Sequence, residues 1–216
     1  MLTTRRQFLA ATTSLAATPL LAADKPAPLV IIDTHTHFYD PTRPGGVPWP
    51  AKGDALLHRR TLPADYRALP APLPVTATVV VEASPLVEDN QWILDLAAKD
   101  KFIVGFVGNL KPGEDAFAGN FKRFAANPLY RGIRVNEGAL RTGLGNAAFV
   151  ADLKRLAEAD RELDVNGGPT LLPEVARLAK ALPGLRIVIN HLSNTRIDGK
   201  NVPETWRRDL EAAAKF

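Results

Sequence analysis

"VIIDTHTHFYDP", residues 30–41, runs from an apolar stretch into an acid and two histidines one residue apart, Asp33, His35 and His37. The apolar start reads as a buried strand over residues 29–33. Side chains alternate along a strand, so Asp33, His35 and His37 face one way while Thr34 and Thr36 face the other. Two imidazoles at i and i+2 can share one metal ion, and the same pair also suits a hydrogen-bonded strand end. The choice depends on what other segments bring alongside.

Five further β-branched runs follow, at residues 78–82, 102–107, 132–135, 162–165 and 186–190, and segments of helical period separate them. "VEDNQWILDLAAKD" places Trp92, Leu94, Leu96 and Ala97 near one face, and "NAAFVADLKRLAEAD" does the same with Phe149, Leu153, Leu156 and Ala157. "LPEVARLAKALPG" carries Pro173 in its first turn and Gly184 beyond its end. Mostly apolar strands alternating with helices indicate a parallel sheet covered by helices.

An open doubly wound sheet and a closed barrel both satisfy that pattern. For the open sheet there is "GLGNAA", residues 143–148, with Asp164 further on. Seven residues, "NEGALRT", separate it from the preceding strand, whereas a dinucleotide site needs its glycines in the tight turn at the strand's end. It reads instead as a loop feeding a helix. The barrel is favoured by polar residues recurring at strand ends: His35 and His37, Glu82, Asn109, Arg134 with Asn136, Asn166, and Asn190 with His191. In a (β/α)₈ barrel those ends meet at one mouth, where active sites sit. His191 is then the natural third partner of the first pair, since a zinc-type site takes about three protein ligands and keeps one position open.

Composition bounds the rest. With 216 residues, 46% hydrophobic, the chain suits one well-buried core. The absence of cysteine excludes disulfides, thiolate metal sites and cysteine nucleophiles. A net charge of +4 without a basic block argues against a nucleic-acid partner. At the start, Arg5 and Arg6 precede an apolar, small-residue run with no acid before Asp24. Residues 1–23 therefore resemble a twin-arginine export signal cleaved near Ala22 or Ala23. Residues 24–216 form the expected domain, periplasmic and without a stable membrane anchor once the signal is removed.

"IIDTHTHFYDP", "VVVEAS", "NQWILDLA", "FIVGFVGNL", "YRGIRV" and "LRIVINHLSN" together resemble the amidohydrolase superfamily. The similarity is narrower to its amidohydrolase-related branch of sugar lactonases and lactonases of dicarboxylic pyrones, from about Leu29 onward. The resemblance implies a (β/α)₈ barrel whose centre combines the first-strand pair, a sixth-strand His and an eighth-strand Asp. It makes His35, His37 and His191 the catalytic and metal-ligating residues, with one divalent ion, zinc, as cofactor. A bridging Lys on strand four and a His on strand five, which two-metal members carry, are replaced here by "GIRVNEG" and "LDVNGG". That argues against a binuclear centre and leaves one metal or a site with little metal dependence.

Arg134, whose guanidinium can hold a carboxylate bidentately, and Glu82, which can help orient the centre, are the candidate substrate-binding residues. Arg134 also reads as one half of a peripheral ion pair. The expected substrate is a small lactone or related cyclic ester, cleaved by activated water. Six strand-helix units are counted where the barrel has eight, so the sequence reads as C-terminally truncated. The alternative is an inactive barrel fragment or binding remnant without its own base, prone to self-association through unpaired sheet edges.

Overall fold

Six β-branched segments pair in the order in which the chain makes them. They are β1 (Ile32–Thr36), β2 (Ala77–Val81), β3 (Ile103–Gly108), β4 (Tyr130–Asn136), β5 (Glu162–Asn166) and β6 (Ile187–Ile189), every neighbouring pair parallel. The structure, a computed structural model, describes residues 29–199 and 201–216. The export-type segment, residues 1–23, lies outside the described residues. Among the described residues no helix is long and apolar enough to cross a membrane.

Parallel neighbours need crossovers, and helices supply them. They are α1 (Pro63–Arg67), α2 (Glu88–Lys99), α3 (Phe117–Ala125), α4 (Glu137–Gly143), α5 (Ala147–Glu158) and α6 (Leu172–Ala181), and α7 (Glu204–Ala213) follows β6. Each longer crossover buries the stripe its spacing dictates: Ile93, Leu94 and Ala97 on α2, Phe117, Phe121 and Phe124 on α3, Phe149, Leu153 and Leu156 on α5. Trp92 and Leu96 flank the α2 stripe and are only partly buried, so the packed face is centred one residue away from the expected one. Fully enclosed side chains such as Leu153, Leu156 and Leu163 each contribute roughly 1.5–3 kcal/mol by burial.

The sheet curls. A flat parallel sheet would hold its first and sixth strands about 24 Å apart, five spacings of about 4.8 Å. Yet the ring centroids of His35 on β1 and His191 just after β6 lie 4.6 Å apart. The strands therefore wrap into part of a (β/α)₈ barrel, as the succession of units led one to expect.

Two expectations are corrected. The first strand does not span 29–33: Leu29 and Val30 are 65% and 68% exposed, and β1 runs instead through the polar residues to Thr36. Cross-strand bonding decides this, because the Thr36 and Thr78 hydroxyls meet at 2.8 Å and the Thr78 hydroxyl donates to the Asp33 carbonyl. Of residues 143–148, only 144–146 form the loop that feeds the next helix, Gly143 closing the helix before it. The Asn136 side chain caps α4 by accepting the Ala139 N–H at 2.8 Å, and the helix runs from Glu137 to Gly143.

Candidate active site

β1 delivers the two histidines at unequal depths. His37, just past the strand, places Nδ1 2.9 Å from the Val81 carbonyl oxygen. A carbonyl only accepts, so that nitrogen carries the proton and Nε2 is left as a lone-pair donor to the site. His35 stands edge-on to it, with ring centroids 5.2 Å apart, and its own Nε2 is buried without a hydrogen-bond partner. An orphaned buried imidazole nitrogen is costly unless something fills the place beside it.

Burial, helped by His37, His191 and Arg134, lowers the His35 pKa from 6.5 to about 4, and burial also lowers that of His37. Both rings are therefore neutral at pH 7. Between pH 6.5 and about 4 the unfolded chain binds a proton at His35 that the folded chain refuses, so acidification through that window destabilises the fold. Above it the group has no effect. In the metal-free protein, imidazole NMR should show His35 titrating near pH 4, and a midpoint near 6.5 would contradict its burial beside other charges.

Trp49, from the long segment after β1, packs edge-on against His37 and Tyr39 at 5.8 and 5.2 Å. His58 in the same segment braces it through the Pro50 carbonyl at 3.0 Å and takes no part in the cluster. His37 and Trp49 wall one end of a cavity of about 790 Å³ that continues past Glu82, Asn109, Arg134, Asn136 and Asn166. The strand-end polar residues of β1 to β5 thus do share one mouth. Asn109 is fixed there by the fully buried Asn90, whose amide bonds both its N–H and its carbonyl.

Arg134 lies over the mouth with its guanidinium 3.3 Å from the Glu82 carbonyl oxygen and 3.8 Å from the Glu82 carboxylate. Burial raises the Glu82 pKa against the pull of Arg134. Neither residue is peripheral, being 13% and 21% exposed at the side chain. Asn190, expected at the mouth, turns away from it: its amide donates to Asp164 Oδ2 at 2.9 Å, and both residues are 3% exposed. Asp164 has no obvious signal in the sequence beyond an acid inside an apolar strand, and burial raises its pKa too.

As a metal centre the cluster is incomplete. Among the described residues no group of three or more His, Cys, Asp or Glu side chains is arranged to hold an ion. The His35 and His37 pair does fit as donors, since both rings are neutral at pH 7, the Val81 carbonyl leaves His37 Nε2 unprotonated, and His35 Nε2 has no other partner. His191 is beside them but does not close a three-ligand set.

A curled parallel β/α sheet with imidazoles and an arginine gathered at the carboxyl ends of its strands has the layout of a (β/α)₈-barrel site. Comparisons agree. The amidohydrolase family profile matches residues 32–216, and the chain belongs to that family. It is 29% identical over 178 residues to the L-fucono-1,5-lactonase of Burkholderia ambifaria, a match covering 81% of this chain and 60% of the lactonase. The chain thus spans about 60% of that relative's length. Similar solved structures include an amidohydrolase from Burkholderia multivorans with bound zinc, TM-score 0.67 at 22% identity, covering 87% of this chain and 66% of that one. A probable 2-pyrone-4,6-dicarboxylic acid hydrolase from Acinetobacter baumannii with citric acid bound follows, TM-score 0.61 at 15% identity, with coverage of 87% and 66%.

Proposed function

We propose that this mouth hydrolyses a lactone, with water attacking the ring carbonyl, the acyl carbon–oxygen bond breaking, and a hydroxy acid leaving. The observation that carries the reading is the buried, partnerless Nε2 of His35 among three clustered imidazoles. The lactonase relative supports the substrate class. A single divalent ion, zinc by analogy with the bound structure, would be held by His35 and His37 with His191 beside them, and would acidify water and polarise the carbonyl.

The chain's own groups do the rest. The Val81 carbonyl fixes the His37 tautomer, and burial keeps His35 unprotonated. His191, the exposed ring of the three, would pass the water's proton to solvent. Arg134, steadied by the Glu82 carbonyl, orients a carboxylate or hydroxyl of the substrate. Export to the periplasm through residues 1–23 is part of the proposal, supported by Arg5 and Arg6 and the apolar run after them.

The lack of a closed three-ligand set among the described residues favours a second reading, the same hydrolysis without metal. One panel separates them: aldono-1,5-lactones and pyrone dicarboxylates, followed by pH-stat with added zinc and after chelation. Hydrolysis that falls at least about tenfold on chelation and returns with zinc supports the metal site, whereas unchanged rates support the second reading. No hydrolysis of any lactone under either condition refutes both. In the same panel Arg134→Met should raise KM about tenfold, the loss of one charge-assisted hydrogen bond of about 1.5 kcal/mol.

A further inference from the structure

The segment that presents His191 has an unusual backbone. His191, Leu192, Ser193 and Asn194 have φ of 52, 51, 53 and 48°, four successive non-glycine residues in the left-handed region. For L-residues that conformation is disfavoured by the approach of Cβ to the following carbonyl oxygen, with Asn the most tolerant. Such a run persists only where its surroundings over-determine it.

Three sets of bonds, two from β5 and its end and one from α7, hold it. From inside the sheet, Asp164 on β5 accepts the Asn190 amide at 2.9 Å and so fixes the residue before the turn. From the end of β5, the Gly167 carbonyl and Asn166 Oδ1 accept from the Asn194 amide at 3.0 and 3.2 Å. From α7, the Trp206 indole N–H reaches Ser193 Oγ at 2.9 Å and the Leu192 carbonyl at 3.2 Å, while Ser193 is fully buried. Within the turn, the Ser193 N–H donates to the Asn190 carbonyl at 2.9 Å. Relaxing the turn to ordinary backbone would cut these bonds and swing His191 away from the 4.6 Å contact with His35.

We infer that Asp164 and Trp206 are positioning residues for His191, the first anchoring Asn190 from within the sheet and the second pinning the left-handed turn from α7. This rests on the reading of His191 as a site residue. Neither residue lines the cavity; Trp206 reaches the site through the turn, whereas Asp164, paired with Arg134 across β4 and β5, has a second route through that arginine, and the test separates the two routes.

The test uses Trp206→Phe, Asp164→Leu and Asp164→Asn in the full chain, reading kcat, KM, melting temperature and the imidazole NMR signals of His191 and His37. Residues that orient a ligating or catalytic histidine from behind change activity by about 10- to 100-fold when removed. Trp206→Phe and Asp164→Leu should therefore lower kcat by that factor at nearly constant KM and shift the His191 signals while those of His37 stay. Asp164→Asn keeps an oxygen acceptor for Asn190 and should restore most of the rate. Unchanged His191 signals and kcat in folded Trp206→Phe overturn the inference, as does a rise in KM at constant kcat in Asp164→Asn, which would assign Asp164 to Arg134 instead. If Asp164→Leu does not fold, the other two variants decide. His191→Ala tests the underlying reading separately: full activity there removes His191 from the site, and the inference with it.

Discussion

His37→Ala is expected to lower kcat/KM for lactone hydrolysis by about a thousandfold or more, a loss of ~4 kcal/mol of transition-state stabilisation. The ring sits where the cavity, the His35 edge and the Trp49 edge meet, and its tautomer is set by one bond to the Val81 carbonyl. His35→Ala should cost as much, because its buried Nε2 has no structural partner whose loss could be blamed instead. The double variant should be little worse than either single one, since groups acting on one water fail together. Stability should change by far less than activity, as His37 lies beyond the end of β1 rather than in the apolar core. Retention of more than a tenth of the wild-type rate in either single variant, with unchanged metal content, would remove the pair from the chemistry.

The order of units and the mouth were legible because they depend on local pattern. Alternating apolar strands and helical stripes imply parallel crossovers, and strand-end polar residues then converge whatever the exact boundaries. β1 was misplaced because the apolar run at residues 29–31 looks like a strand, whereas its extent is set by hydroxyl pairing with Thr78, 42 residues away from Thr36. A similar distance hid Asp164: its partner Asn190 lies 26 residues on, and no periodicity connects an acid on one strand to an amide on the next. The α3 stripe of Phe117, Phe121 and Phe124 did have a helical signal, since its spacing of four and three is visible in the sequence. The α4 helix was harder, because Gly138 weakens its propensity and its start depends on the Asn136 cap. Nothing local encodes the left-handed turn at His191, which is imposed by Trp206 and the end of β5.

Gly132→Ala should give the largest loss of stability of any single methyl addition at a strand glycine. Gly132 on β4 pairs with Glu162 on β5, and a Cβ there would land on the Glu162 backbone carbonyl oxygen and its side chain. The obstacle is main chain in the neighbouring strand, so no rotamer change relieves it, and the two strands must separate. Overpacking of this kind costs about 1–3 kcal/mol where side chains can adjust. Here about 3 kcal/mol or more is expected, a fall of roughly 6–12 °C in Tm for a chain of this size. Because Arg134 and Asp164 pair two residues further along the same two strands, kcat/KM should fall as well. Gly119→Ala supplies the control. That glycine lies exposed on α3 with no atom within 4 Å of an added Cβ, so the same chemical change should stabilise the protein by up to about 1 kcal/mol through helix propensity. Thermal melts of the two variants should move in opposite directions. A neutral Gly132→Ala would show that β4 and β5 do not approach as closely as this register requires, and would loosen with it the placement of Arg134 over the mouth.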